Sequence, residues 1–388
     1  MYDFDRTLDH RADGSLRWKQ PAGRADVIGM GTADLDYFCP PAVQEAFRRI
    51  VEENTYNYRA KPDSYYQAVL GWYRRMYGLD LAPEMLSAVP GTILAVYLAL
   101  RVVTCPGASV IAQSPYFGPV KSAAEAAGCT FIPNPMRFDG ERFVLDLADF
   151  EEKVRTHRPM AFVLVNPHNP TGRVFTRQEL ESLVEICLRY DVKIVSDEVH
   201  SLVVYDGLHH IPALAVSEAA RAISIQIVSA SKGFNLMGLP QAIVAVAEPT
   251  LLARWKRALD DRDMDYGANP FATAALTACL DGSSDAWLRE LTAYLDGNRR
   301  RIAAFFAERG IPITGPLPEA SFVYWGNCSA LGIPDAQIPS FFLEKAGVAV
   351  NGGTHYGPDG SGYVRMNFAV TRAHLDEALE RIAAALGR

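Results

Sequence analysis

The chain lacks the features that would assign it to several broad classes of protein. Its six cysteines, Cys39, Cys105, Cys129, Cys187, Cys279 and Cys328, are widely spaced, with no CxxC pair and no zinc-ligand spacing. This excludes a disulfide framework as the organising device and reads as reduced thiols in a cytoplasmic protein. No basic cluster accompanies the net charge of −7, so no nucleic-acid partner is expected. The longest apolar run, residues 92–100, stops at Arg101, too short to span a bilayer, so no membrane partner is expected either. The amino terminus, MYDFDRTLDHR, is charged from its third residue and reads as neither a signal peptide nor a transit sequence. His200, His209 and His210 lie close together, but they offer no i, i+4 ligand pair, and no metal site is expected.

What the chain has is a globular composition, 49% apolar over 388 residues with glycine and proline scattered throughout, enough for two subdomains. Helical and strand patterns alternate. Residues 42–53 have helical apolar spacing, Pro90 and Gly91 punctuate the start of a helix at Thr92, and residues 108–112 read as a strand. Later come a long helical pattern over 285–309, a strand candidate over 321–326 and a terminal amphipathic helix over 372–386. Such alternation predicts an α/β fold with a largely parallel sheet.

Three segments carry chemistry. In SASKGFN, residues 229–235, Lys232 stands beside the hydroxyls of Ser229 and Ser231. A lysine so placed can form a Schiff base with an aldehyde cofactor while hydroxyls hold a phosphate. In AFVLVNPHNPTGRVF, residues 161–175, an apolar strand runs into an Asn/Pro/Gly loop, the position where open α/β sheets place ligands. In VKIVSDEVH, residues 192–200, a strand ends in Asp197, with His200 three residues on. A carboxylate at the end of a buried strand is costly unless something cationic meets it, and a protonated pyridine nitrogen is such a partner.

With these motifs stand ADLDY (33–37), YNYRAKPDSYY (56–66), NPHNPTGR (166–173) and YVRMNFAV (363–370). Together, and in this order, they resemble the fold-type I pyridoxal 5'-phosphate (PLP) enzymes of the class I/II aminotransferase superfamily, in particular the MalY/PatB-type cystathionine β-lyases, or C-S lyases. The resemblance implies the aspartate aminotransferase fold, with a mostly parallel large PLP-binding domain over 48–275. Residues 1–47 and 276–388 would form a smaller α+β domain with an amino-terminal arm.

It also implies roles. Lys232 would carry the cofactor and later act as base. Gly91, Thr92 and Ile93, at a helix start, would bind the phosphate through backbone N–H groups, with Ser229 and Ser231 as further donors. Tyr58 would reach the phosphate of the partner subunit, making the protein a homodimer. Asp197 would keep the ring nitrogen protonated, Asn169 and His200 would bond the ring hydroxyl, and Phe117 would stack on the ring. Arg365 would clamp the carboxylate of an amino-acid substrate, beside Ala33 and Asp34.

The implied reaction is α,β-elimination from a cysteine S-conjugate or cystathionine-like thioether, giving a thiol, pyruvate and ammonia. Two departures from the family pattern stand out. Phe117 replaces a tyrosine, and Gly31 with Thr32 in GMGTAD replaces a segment bearing tryptophan, leaving open space for a bulkier, pathway-specific substrate. An aminotransferase, or a decarboxylating or oxidative deaminase, would use the same cofactor and break a different bond. An acyl-enzyme reading of Ser229 and Lys232 as SxxK fails for want of SDN and KTG segments. A non-catalytic regulator would be expected to have lost Lys232, Asp197 or Arg365, and all three are present.

Overall fold

The computed structural model describes residues 2–6, 14–19, 24, 26–261 and 268–388. Part of the charged amino-terminal stretch discussed above therefore lies outside the described residues. A seven-stranded sheet runs in the spatial order Leu86–Val89, Ala242–Ala245, Ser224–Val228, Lys193–Asp197, Ala161–Val165, Ser109–Ser114, Thr130–Pro135. Every neighbouring pair is parallel except the two made by Ala242–Ala245. The expected mostly parallel α/β architecture is borne out.

The central strands are buried along their whole length because both faces of the sheet are covered. Helix Thr92–Val103, buried on most of its circumference, belongs to the same apolar cluster as alternate residues of these strands. Each large aliphatic side chain sequestered there contributes about 1.5–3 kcal/mol. Helix Arg177–Arg189 opens with a capping box, Thr176 and Glu179 satisfying each other's backbone, and Glu179 also pairs with the buried Arg173 at 2.7 Å. That pairing holds the NPTGR loop against the helix that follows it.

A second sheet, with Val323–Asn327, Tyr363–Asn367 and Asn351–Gly352 antiparallel, packs with helices Asp285–Glu308 and Arg372–Ala385. Short strand Ile28–Gly29 pairs in parallel with Val348–Ala349. Differences from the expected element bounds have local causes. The strand expected from residue 321 begins at Val323, because Ser321 takes a left-handed φ of 68°. The strand expected to end at 112 continues to Ser114, since Gln113 and Ser114 are polar yet buried and so break the apolar pattern without ending the strand.

Candidate active site

The chemistry-bearing residues collect at the carboxyl ends of adjacent parallel strands, where an open α/β sheet leaves a crevice. Asn169 follows strand Ala161–Val165, Asp197 ends strand Lys193–Asp197 with His200 in the turn beyond, and Lys232 follows strand Ser224–Val228. Phe117 follows strand Ser109–Ser114, and Thr92 and Ile93 open a helix. The second sheet supplies Arg365 and Asn351 from the opposite side. These residues, with Ala33, line one crevice of about 380 Å³.

Burial sets the electrostatics. Asp197, 3% exposed, is pushed up to about 6 by desolvation, against the opposing pull of the Val199 N–H at 3.2 Å; neighbouring Glu198 raises it further, and Lys232 lowers it. Burial likewise lowers Lys232 to about 8, reinforced by the nearby Arg365 guanidinium and opposed by Asp34 and Asp197. The lysine amine donates to the Ala33 carbonyl. His200 is held well below the usual imidazole range by burial and then by Lys232, and its Nδ1 meets the Ser321 hydroxyl at 2.9 Å. The left-handed turn at Ser321 thus serves the site.

Arg365 is 3% exposed, and burial lowers it from the ordinary guanidinium value. Its Nη2 donates to the Gly31 carbonyl at 2.7 Å and its Nη1 to Asn169 Oδ1 at 3.2 Å, while its Nε is buried without a partner. No carboxylate pairs with it among the described ion pairs. A buried guanidinium with an open donor is a ready receptor for an anion.

Not every expected residue joins this group. Gly91 caps the helix with φ 103° but is absent from the crevice lining, as are Ser229 and Ser231, which bond each other at 3.0 Å and border a separate small cleft. Ser229 also donates to the Gln241 carbonyl at 2.7 Å. Asp34 turns to Arg17 at 3.2 Å, and Tyr58 is 80% exposed, away from the crevice of its own chain. The open space expected at Gly31 is not there: a Cβ at this position would lie 2.7 Å from Asn351 Oδ1. That proximity corrects the expectation of a widened entrance.

Sequence reasoning missed Asn351, His355 and Tyr356, which line the crevice from the segment before YVRMNFAV. No motif flagged them; the one available signal was the glycine-rich, aromatic run NGGTHYG leading into the strand of Arg365.

The fold and the crevice together define a class: the chain belongs to the aminotransferase class I and II family, whose model matches residues 25–382. Among its relatives is cystathionine beta-lyase PatB of Bacillus subtilis, 31% identical, with 99% of this chain and 100% of that one aligned. Among solved structures, a PLP-bound putative aminotransferase from Clostridium difficile superimposes with a TM-score of 0.95 at 30% identity, covering 100% of both chains. A PLP-bound C-S lyase from Staphylococcus hominis gives a TM-score of 0.92 at 27% identity, over 100% of this chain and 99% of that one.

The residues present fit PLP. Helix Thr92–Val103 begins without a side-chain cap, so its first N–H groups are open to a phosphate. Asp197 is a buried carboxylate with one backbone donor that faces the crevice, and Lys232 is an amine lowered by burial to about 8.

Proposed function

We propose that this chain is a PLP-dependent carbon–sulfur lyase, cleaving a cysteine S-conjugate or cystathionine-like thioether by α,β-elimination to a thiol, pyruvate and ammonia. The observation that carries this reading is the convergence of Lys232, Asp197 and Arg365 on one buried crevice, with their charges tuned by burial. The C-S lyase and cystathionine beta-lyase names of its relatives support the choice of bond.

Bound PLP supplies an electron sink for the negative charge that develops at the substrate α-carbon. Lys232 would hold the cofactor covalently and, once displaced by the substrate amine, take the α-proton; an amine near 8 is suited to that transfer close to neutral pH. Asp197 would hold a proton on the ring nitrogen, Asn169 and His200 would bond the ring hydroxyl, and Phe117 would cover one ring face. The backbone of Gly91, Thr92 and Ile93 would hold the phosphate, with Ser229 and Ser231 as further donors. Arg365 would clamp the α-carboxylate beside Ala33 and Asp34, holding the substrate in the crevice that Lys232 also lines. Lys232 would pass the proton it takes to the departing sulfur, so that the carbon–sulfur bond broken at the β-carbon yields a thiol, and hydrolysis of the remaining three-carbon enamine by water would give pyruvate and ammonia.

The same reading divides the chain into a cofactor domain over 48–275 and a small domain from 1–47 and 276–388. It makes the protein a cytoplasmic homodimer in which Tyr58 reaches the partner's site, supported by the exposure of Tyr58 and by six unpaired cysteines. No helix among the described residues is long and apolar enough to cross a membrane. The narrower version, a bulky biosynthetic substrate, now rests on the Phe117 departure alone, because Asn351 fills the space beside Gly31.

Transamination is the second reading, favoured by the family and by the putative aminotransferase among its structural relatives. A panel of cysteine conjugates separates the two. Pyruvate and thiol released without an added keto acid mark the lyase, while keto-acid-dependent amine transfer overturns it. Lys232→Ala should abolish turnover, and undiminished activity would remove the proposed base.

A further inference from the structure

One wall of the crevice has no role in the reading above. Asn351, on the strand Asn351–Gly352, is the register neighbour of Arg365 on Tyr363–Asn367, so their side chains leave the same face of the sheet, and both line the crevice. The Asn351 amide is fixed on one side: its Nδ2 donates to the Tyr356 hydroxyl at 3.2 Å. Tyr356, 2% exposed, is itself immobilised, with its ring 5.1 Å below the Arg365 guanidinium and edge-on to Trp325 at 5.3 Å. On the other side, Asn351 Oδ1 stands where a Cβ on residue 31 would come within 2.7 Å, so glycine at that position is what gives the amide its room. Among the described residues no donor meets Oδ1.

The position decides what this acceptor can serve. Asp197, Asn169, His200 and Lys232 stand at the strand ends of the large sheet, and Arg365 reads the carboxylate. An acceptor beside Arg365 on the opposite wall is left with the group attached beyond the β-carbon. We propose that Asn351 is a specificity-determining residue, its side-chain carbonyl accepting a hydrogen bond from a donor on the substituent carried by the substrate's sulfur. This rests on the carbon–sulfur lyase reading. Asn351 is half-buried, and a bound substituent would cover its carbonyl; a polar group held in place and covered by the ligand discriminates against an apolar isostere, because the isostere shuts it from water and leaves it unpaired.

The test compares two conjugates of nearly equal size, S-hydroxyethyl-L-cysteine and S-propyl-L-cysteine, on the PLP-loaded enzyme. Wild type should favour the hydroxyethyl compound by about tenfold in kcat/KM, the effect of one well-made hydrogen bond. Asn351→Ala, and Gly31→Ala through displacement of the amide, should bring the ratio close to one, while the visible absorption of bound cofactor shows that each variant is folded and loaded. Calorimetric Kd values for both compounds on PLP-loaded Lys232→Ala protein, which cannot turn over, should show the same preference and its loss in the Lys232→Ala/Asn351→Ala double variant. A wild-type preference for the propyl compound, or a ratio untouched by Asn351→Ala, overturns the proposal and leaves the lyase reading standing. Binding preference without pyruvate from either compound overturns the lyase reading and leaves Asn351 as the selector of the bound ligand.

Discussion

Asp197 and Glu198 are consecutive in the chain and almost equally inaccessible, at 3% and 1% exposure, yet they sit in opposite surroundings. Glu198 is saturated. Its Oε1 accepts from the Ser196 hydroxyl at 2.7 Å and the Ala213 N–H at 2.8 Å, and its Oε2 from Gln226 Nε2 at 2.6 Å and His210 Nε2 at 2.8 Å. Asp197 accepts the Val199 N–H at 3.2 Å and faces the crevice. Two buried carboxylates with such different provision have different purposes: one ties together the strands and loop beneath the site, and the other is kept short of donors for a cationic partner. Glu198 also acts on its neighbour, since its charge helps to raise Asp197.

The comparison breaks most sharply at Asp197→Asn. Turnover should fall by about a thousandfold or more, because the group that would sustain the ring-nitrogen charge is gone. Stability of the cofactor-free protein should move the other way. The folded-state value of Asp197 is raised from 3.8 to about 6, so folding binds its proton more tightly than the unfolded chain does. The carboxyl therefore costs nothing below its unfolded value, and the cost is complete once pH has risen through about 6. Asparagine should stabilise the cofactor-free protein at pH 8 by about 3 kcal/mol and make no difference near pH 3. Urea melts at the two pH values measure this, and a loss of stability at pH 8 would assign Asp197 to the scaffold.

Glu198→Ala should do the converse. Four donors lose their acceptor, and stability should drop by about 3–5 kcal/mol, the usual result of breaking a buried, hydrogen-bonded charge. Turnover per folded, PLP-loaded molecule should fall far less than for Asp197→Asn. If the two variants lost similar activity per loaded site, the division of labour between the neighbours would be wrong.

Much of the floor of the site was legible because each part lies at a strand end, where an apolar run meets a polar or turn-forming residue. Asp197 ends such a run, Asn169 and Lys232 follow within four residues of one, and the change from apolar to polar is visible in one dimension. The wall around Asn351 was not, because it depends on contacts across long separations. The closeness of Gly31 and Asn351 is set by the pairing of Ile28–Gly29 with Val348–Ala349, and a two-residue strand leaves almost no pattern to read. A missing side chain at Gly31 therefore read as space when a distant residue occupies it. Likewise, nothing local distinguishes Glu198 from Asp197 in SDE; Gln226 and His210, which define its role, come from another strand and a loop.

The smallest expected effect concerns how the two sheets influence each other across the crevice. Lys232 is lowered to about 8 first by burial and second by Arg365, which projects from the other sheet. Only the neutral amine attacks an aldehyde, so the rate at which cofactor-free protein captures PLP covalently should climb with pH and level off above about 8, whereas an unperturbed lysine would keep gaining up to about 10.5. Arg365→Leu removes the cationic contribution and leaves the desolvation. The midpoint of capture should therefore move upward by a fraction of a unit and stay well below the unperturbed lysine value, as followed by stopped-flow absorbance. A midpoint that does not move would mean that burial alone tunes Lys232, with the two walls of the crevice electrostatically independent.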